Sequence, residues 1–282
     1  MKISLSNQNI SAQITTLGAE LLSLEKDHRN YIWTIDEQYW NKTSPVLFPI
    51  VGRLKNDQYT LNGKEFSLPR HGFARNYEFD VLKQTENSVI FKLSTNEETV
   101  KVYPFDFDFL YHYVLNGNVL EITFEIINKN SFEMPFSIGA HPAFRLENPV
   151  ENYSLQFEKE DLFKSYHLTH ENFDGSFSII ESKNGEILLS DTLFENDALV
   201  FKTLESNYLF LAEHNKPVLK FYFQDFPFLG IWKKIKAPFL CLEPWQGLAD
   251  NTNHNGNFLE KEGVIILQPN SSKKLGYKIE IL

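Results

Sequence analysis

The chain has 282 residues, a net charge of −10, 42% hydrophobic and 23% charged residues. That length can bury a substantial core, and that acidity argues against nucleic acid and anionic membrane surfaces as partners. A single cysteine, Cys241, excludes an internal disulfide and fits a reducing compartment. The opening stretch MKISLSNQNISAQITT lacks the continuous apolar run of a signal peptide, and no later run reaches membrane-spanning length. The expectation is a cytoplasmic protein.

From Met1 onward the signals are those of strands. A short helix around Asp36–Trp40 is the best helical candidate, and no segment carries a helical stripe over three turns. Residues 58–68 form two short runs joined at Asn62-Gly63, residues 77–94 a hairpin with a longer loop, and residues 108–127 two long runs joined at Asn116-Gly117. Residues 176–190 repeat the pattern at Asn184-Gly185, and residues 207–223 and 263–282 add further pairs. Asn-Gly between alternating runs predicts hairpins, because both residues tolerate the positive φ of a type I′ turn. With 25 Phe and 12 Tyr, the chain also favours pleated, half-buried surfaces. The expectation is an all-β fold, a large antiparallel twisted β-sandwich in one domain spanning residues 1–282.

Three stretches break the alternation and combine Pro or Gly with charged or imidazole side chains. They are 44–56 with 68–77, then 135–146, then 238–250. Irregular polar segments between strands are where function usually sits. Four of the five arginines fall there: Arg53, Arg70, Arg75 and Arg145. A guanidinium offers a fixed fork of donors, so these arginines either grip a ligand or pair with nearby carboxylates. His141 and Glu243 each precede a proline, which pushes them into an extended conformation and narrows where their side chains point. Each on its own reads as readily as a structural histidine or an ion-paired glutamate. Trp232 and Trp245 flank Glu243 in sequence, with Gln246 beside it, while Trp33 and Trp40 lie far away in the chain. Aromatic faces cover the apolar faces of a sugar ring, and polar side chains meet its hydroxyls.

Other groupings are weaker. His167, His170 and Glu171 have loose metal-ligand spacing and read as a solvated loop, so no metal is expected. Asp106 and Asp108 read as the polar face of a strand rather than as a hydrolase pair. Cys241 reads as a buried, inert thiol. There is no phosphate-binding Gly-rich loop, GxSxG or HExxH.

Taken in order, GR (52–53), HGFAR (71–75), GAHPAF (139–144) and CLEPWQG (241–247) resemble the aldose 1-epimerase (galactose mutarotase-like) family, closest to its shorter LacX-type branch. The resemblance spans nearly the whole chain. It implies a large twisted β-sandwich working on a small-molecule sugar without cofactor. Exposed edge strands could pair, and the sequence leaves monomer and homodimer both open. The resemblance implies His141 as catalytic acid, Glu243 as catalytic base, and Arg53 and His71 as substrate contacts. Asp197 is the choice for a hydroxyl-binding aspartate, with Asp191 as competitor; Trp232 and Gln246 complete the expected sugar site. Ala140 before His141 and Pro142-Ala143-Phe144 after it depart from the longer galactose mutarotases, which carry Asn before this histidine and Thr-Tyr-Phe after it. The expected reaction is interconversion of the α and β anomers of an aldohexose. The alternatives are a mutarotase for hexose 6-phosphates and a carbohydrate-binding protein without catalysis.

Overall fold

A computed structural model describes residues 1–159 and 162–282. Two large antiparallel sheets dominate it, with a four-stranded antiparallel sheet at the N-terminus. The nine-stranded sheet runs in the order Glu186–Leu188, Tyr153–Phe157, Tyr208–Glu213, Lys216–Tyr222, Ser272–Ile281, Val119–Asn128, Phe107–Asn116, Ser88–Ser94, Asp80–Gln84. The second sheet runs Asn172–Ile179, Lys164–Thr169, Leu199–Phe201, Phe228–Trp232, Phe239–Gln246, Ile138–Ala140, Val46–Leu47, with Ala143–Arg145 also on Phe239–Gln246. The expected all-β sandwich is the fold.

Alternation puts the core between the two sheets. Strands Phe107–Asn116 and Val119–Asn128 bury every second residue. Phe109, Tyr111, Phe124 and Tyr277 meet Leu229, Ile231, Leu240 and Leu242 of the second sheet in one cluster. The buried phenols need partners in this apolar layer: Tyr113 donates to Ala19 O at 2.7 Å and Tyr103 to Pro135 O at 2.8 Å.

Strand Phe239–Gln246 decides where the site lies. It is buried along both faces up to Trp245, as a central strand covered on both sides must be. Its even residues Leu240 and Leu242 face the core; its odd residues Phe239, Cys241, Glu243 and Trp245 face the opposite side. A period of two therefore aims Glu243 away from the main core, into a space roofed by loops.

Most predicted hairpins are present, with shifts. Asn62 and Gly63 have φ of 50° and 76° and join Gln58–Leu61 to Lys64–Ser67. In the long hairpin Asn116 still pairs with Val119, so the turn is Gly117-Asn118, one residue later than expected. Asn184-Gly185 makes a tight turn closed by Lys183 and Glu186, but the flanking strands Asn172–Ile179 and Glu186–Leu188 belong to different sheets. The C-terminal pair also separates: Ile265–Leu267 pairs with Met134–Phe136, not with Ser272–Ile281. Asp36–Trp40 is a bridged turn rather than a short helix, with Trp40 N donating to Asp36 O at 2.8 Å.

Candidate active site

His141 and Glu243 come together through sheet register. Strands Ile138–Ala140 and Ala143–Arg145 both pair with Phe239–Gln246, Gly139 opposite Trp245 and Ala143 opposite Cys241. The register is the same on both sides of the interruption at His141-Pro142, so His141 lies across from Glu243. Proline's lack of an N–H explains the break. His141 N is held by Pro45 O at 3.1 Å, and Pro142 O accepts from Leu242 N at 3.2 Å. On the other side of the strand, Glu243 pairs with Gly230. A Cβ on Gly230 would come within 2.5 Å of the Trp245 ring, so glycine there makes room for the indole beside Glu243.

His141 Nε2 and Glu243 Oε2 are 3.2 Å apart, outside hydrogen-bond geometry. Glu243 Oε2 and His141 Nδ1 are buried without a hydrogen-bond partner among the described residues. The Trp245 side chain interacts with the Glu243 carboxyl, and His141, Glu243 and Trp245 line one cavity, where a polar ligand can satisfy the open positions of the imidazole and the carboxyl. Burial pushes the Glu243 carboxyl well above its ordinary 4.5, with Asp197 adding to the rise and Arg70 opposing it. Burial, helped by the charges of Arg70 and Arg75, holds His141 down at about 3. Both groups therefore favour their neutral forms in the closed cavity.

His71 forms a second wall, its ring centroid 6.0 Å from that of His141. Its φ of +66° is a strained conformation for a bulky residue, fixed by His71 N donating to Gly52 O at 2.8 Å. Gly52 N donates to His71 Nδ1 and Arg70 Nε to His71 Nε2, each at 3.1 Å; a neutral ring accepts at only one nitrogen, so the two donors compete for it. Burial keeps this imidazole well below its ordinary range, and the positive charge of Arg70 adds to the effect.

The cavity around these groups encloses only about 30 Å³ and is lined also by Arg53, Glu171, Phe173 and Trp232. Arg53 grips Asp57 through two bonds of 2.8 and 2.7 Å and also pairs with Glu171. Arg70 pairs with the other oxygen of Glu171. Arg75 instead donates to Arg70 O at 2.7 Å. Asp197 is close enough to raise Glu243, and its neighbour Ala198 lines the cavity. Asp191 is engaged elsewhere, by buried Lys233 and by Lys236 N at 3.0 Å. Gln246 does not line the cavity; its amide donates to Gly263 O at 2.7 Å.

Two groups escaped the sequence reading. Trp40, set apart in the chain, packs against His141 at 4.8 Å between centroids with the rings tilted by 33°, and reaches Trp232 at 5.8 Å. Glu171, read as part of a solvated loop, lines the cavity. Nothing in local spacing signals either, because both arrive through long-range packing. His141, Cys241 and Glu243 offer ligand atoms within 4.8 Å of one another. Burial drives the thiol well above 9.0 and the carboxyl well above 4.5, so the set is poor in the anionic charge that holds a divalent ion.

Comparison with known proteins shows the family. The sequence model of the aldose 1-epimerase family matches residues 1–265. The chain belongs to the aldose 1-epimerase family. Protein LacX (plasmid) of Lactococcus lactis subsp. lactis is 35% identical over 300 residues, covering 100% of both chains. A galactose mutarotase related enzyme from Lactobacillus acidophilus superposes with TM-score 0.95 at 35% identity, over 100% of this chain and 97% of the other. A galactose mutarotase-like protein from Lactobacillus casei ATCC 334 gives 0.95 at 30% identity, over 100% of both. Membership of this family supports a carbohydrate epimerase or mutarotase role.

Proposed function

We propose that the protein is a mutarotase that interconverts the α and β anomers of a free aldohexose, with Glu243 as base, His141 as acid and no cofactor. The observation behind this is a buried carboxyl 3.2 Å from a buried imidazole, both with unpartnered atoms in one cavity. Mutarotation moves protons on two oxygens bonded to one carbon, so its acid and base must be close neighbours. Glycoside hydrolysis instead uses two carboxyls, about 5–5.5 Å apart when retaining and ~6.5–9.5 Å when inverting.

In ring opening, Glu243 takes the proton of the anomeric hydroxyl as the bond from C1 to the ring oxygen breaks, and His141 protonates that oxygen. The free aldehyde turns about its C1–C2 bond. Closure on the other face returns both protons, so nothing is consumed. A His141 pKa of about 3 keeps the imidazole neutral in the empty cavity; when sugar hydroxyls ionise Glu243 its proton passes to His141, and the imidazolium so formed is the donor to the ring oxygen. A raised Glu243 is a strong base once ionised, and sugar hydroxyls entering the cavity supply the hydrogen bonds its anion lacks. Arg53, His71 and Asp197 are the proposed hydroxyl contacts, and Trp232 with Trp40 the apolar platform.

The test is the relaxation of freshly dissolved α-glucose and α-galactose, followed by polarimetry or NMR. Wild type should accelerate at least one, and His141→Asn should lose the acceleration with its fold intact. Sugar binding without acceleration in the wild type would make the protein a carbohydrate-binding module instead.

A further inference from the structure

Resting on the mutarotase reading of this site, we infer that Glu171 is a charge filter that fits the site to uncharged aldoses and turns away sugar phosphates. Glu171 sits at the tip of the hairpin between Lys164–Thr169 and Asn172–Ile179. The two turn residues, His170 and Glu171, have φ of 51° and 65°. Hairpin turns of this kind favour Asn and Gly, so a long charged side chain is held there against its preference. Its two carboxylate oxygens reach different guanidiniums, one on Arg53 and one on Arg70.

This bridge is the wall between two spaces. Inside lies the cavity of about 30 Å³ with His141 and Glu243, room for a water or two but not a hexose. Outside lies a hollow of about 420 Å³ bounded by Asp57, Ser67, Leu68 and Pro69 with the same three bridge residues. A sugar entering from the hollow must swing the Glu171 carboxylate aside, and it meets Arg53 and Arg70 as it passes. Two guanidiniums side by side are a ready fork for a phosphate dianion. Here they are offset by two carboxylates, Asp57 and Glu171, so the gateway carries no net charge. A neutral sugar exchanges one set of hydrogen bonds for another. A phosphate has to drive out Glu171 and then sit beside it as a like charge.

The experiment compares wild type, Glu171→Gln and the double variant Glu171→Gln with Arg70→Gln. Mutarotation rates are measured on glucose, galactose and glucose 6-phosphate, and inorganic phosphate binding is measured by calorimetry. Wild type should prefer an unphosphorylated sugar. Glu171→Gln should raise kcat/KM for glucose 6-phosphate relative to glucose by about tenfold or more, chiefly through KM, and should bind phosphate more tightly. The double variant should lose both gains. An unchanged ratio together with unchanged phosphate binding would overturn the filter, as would a wild type that prefers glucose 6-phosphate. Tighter phosphate binding in Glu171→Gln with no turnover of any sugar by any form would keep the filter and remove the mutarotase reading.

Discussion

The floor and the rim of the cavity are built on opposite terms. The floor, Glu243, His141 and His71, is 1–8% exposed, set by strand register and backbone hydrogen bonds, and left with unpartnered polar atoms. The rim, Arg53, Arg70, Asp57 and Glu171, is 31–43% exposed at its side chains and is paired throughout. A buried unpaired group destabilises the fold but keeps its position and its perturbed pKa. An exposed ion pair contributes little and opens easily. On the proposed reading the floor carries the chemistry and the rim controls admission, and each can be tested separately.

The largest effect belongs to the floor. Glu243→Gln should lower turnover by roughly 10²–10⁴, the range of general acid–base help. Near-normal turnover would remove Glu243 from the mechanism. The same variant should be more stable than wild type at pH 7. The folded protein holds Glu243 protonated above its ordinary 4.5 while the unfolded chain releases that proton. Stability is thus lost as pH rises from 4.5 through the raised folded value, and Gln has no proton to lose. Thermal melts at pH 4 and pH 7 check this: the gain should appear at pH 7 and shrink at pH 4. The acid limb of kcat/KM in wild type should have its midpoint above 4.5.

The histidines act with the opposite sign. His141 and His71 stay neutral in the folded protein below 6.5, where the unfolded chain takes up protons. Unfolding free energy should fall on acidification by about 1.4 kcal/mol per pH unit for each imidazole until its folded pKa is reached. His141→Asn should flatten the slope of denaturant midpoint against pH between 6.5 and 4. An unchanged slope would mean that His141 is charged in the native state.

Much of the floor was legible in sequence because it is local. A residue before proline is forced to extend, which pointed to His141 and Glu243; FLCLEPW, however, breaks the polar–apolar alternation because it is a central strand buried on both faces, so the faces of its residues were not legible. Nor could sequence supply the register that sets His141 across from Glu243. The rim was legible only in part. Arginine clustering pointed to Arg53 and Arg70, but their partner Glu171 lies about a hundred positions away and arrives through the sheet edge. Trp40 escaped for the same reason, as did the separation of Asn172–Ile179 from Glu186–Leu188. An Asn-Gly turn fixes chain reversal, not which sheet each arm joins.

Gly230 tests how tightly the floor is packed. Alanine there would drive a methyl group to within 2.5 Å of the Trp245 ring, whose neighbours are the buried strand itself. Overpacking of this kind costs about 1–3 kcal/mol. Displacing the indole should also disturb Glu243, so the denaturant midpoint and kcat should fall together. A fall in stability with kcat preserved would show that Trp245 fills space without supporting the carboxyl.

The smallest effect should come from the rim, at Asp57. Its two bonds hold the Arg53 guanidinium from one side while Glu171 holds it from the other. Arg53 keeps Asp57 below the usual carboxylate range, so the pair is charged at neutral pH. Asp57→Asn would leave Arg53 tied only to Glu171, drawing it toward the gateway and making the bridge harder to open. KM for a neutral sugar should rise on the order of threefold with kcat unchanged, and the rise should shrink in high salt, which screens exposed charges. A fall in kcat with constant KM would instead put Arg53 at the reacting oxygens and give the rim a part in the chemistry.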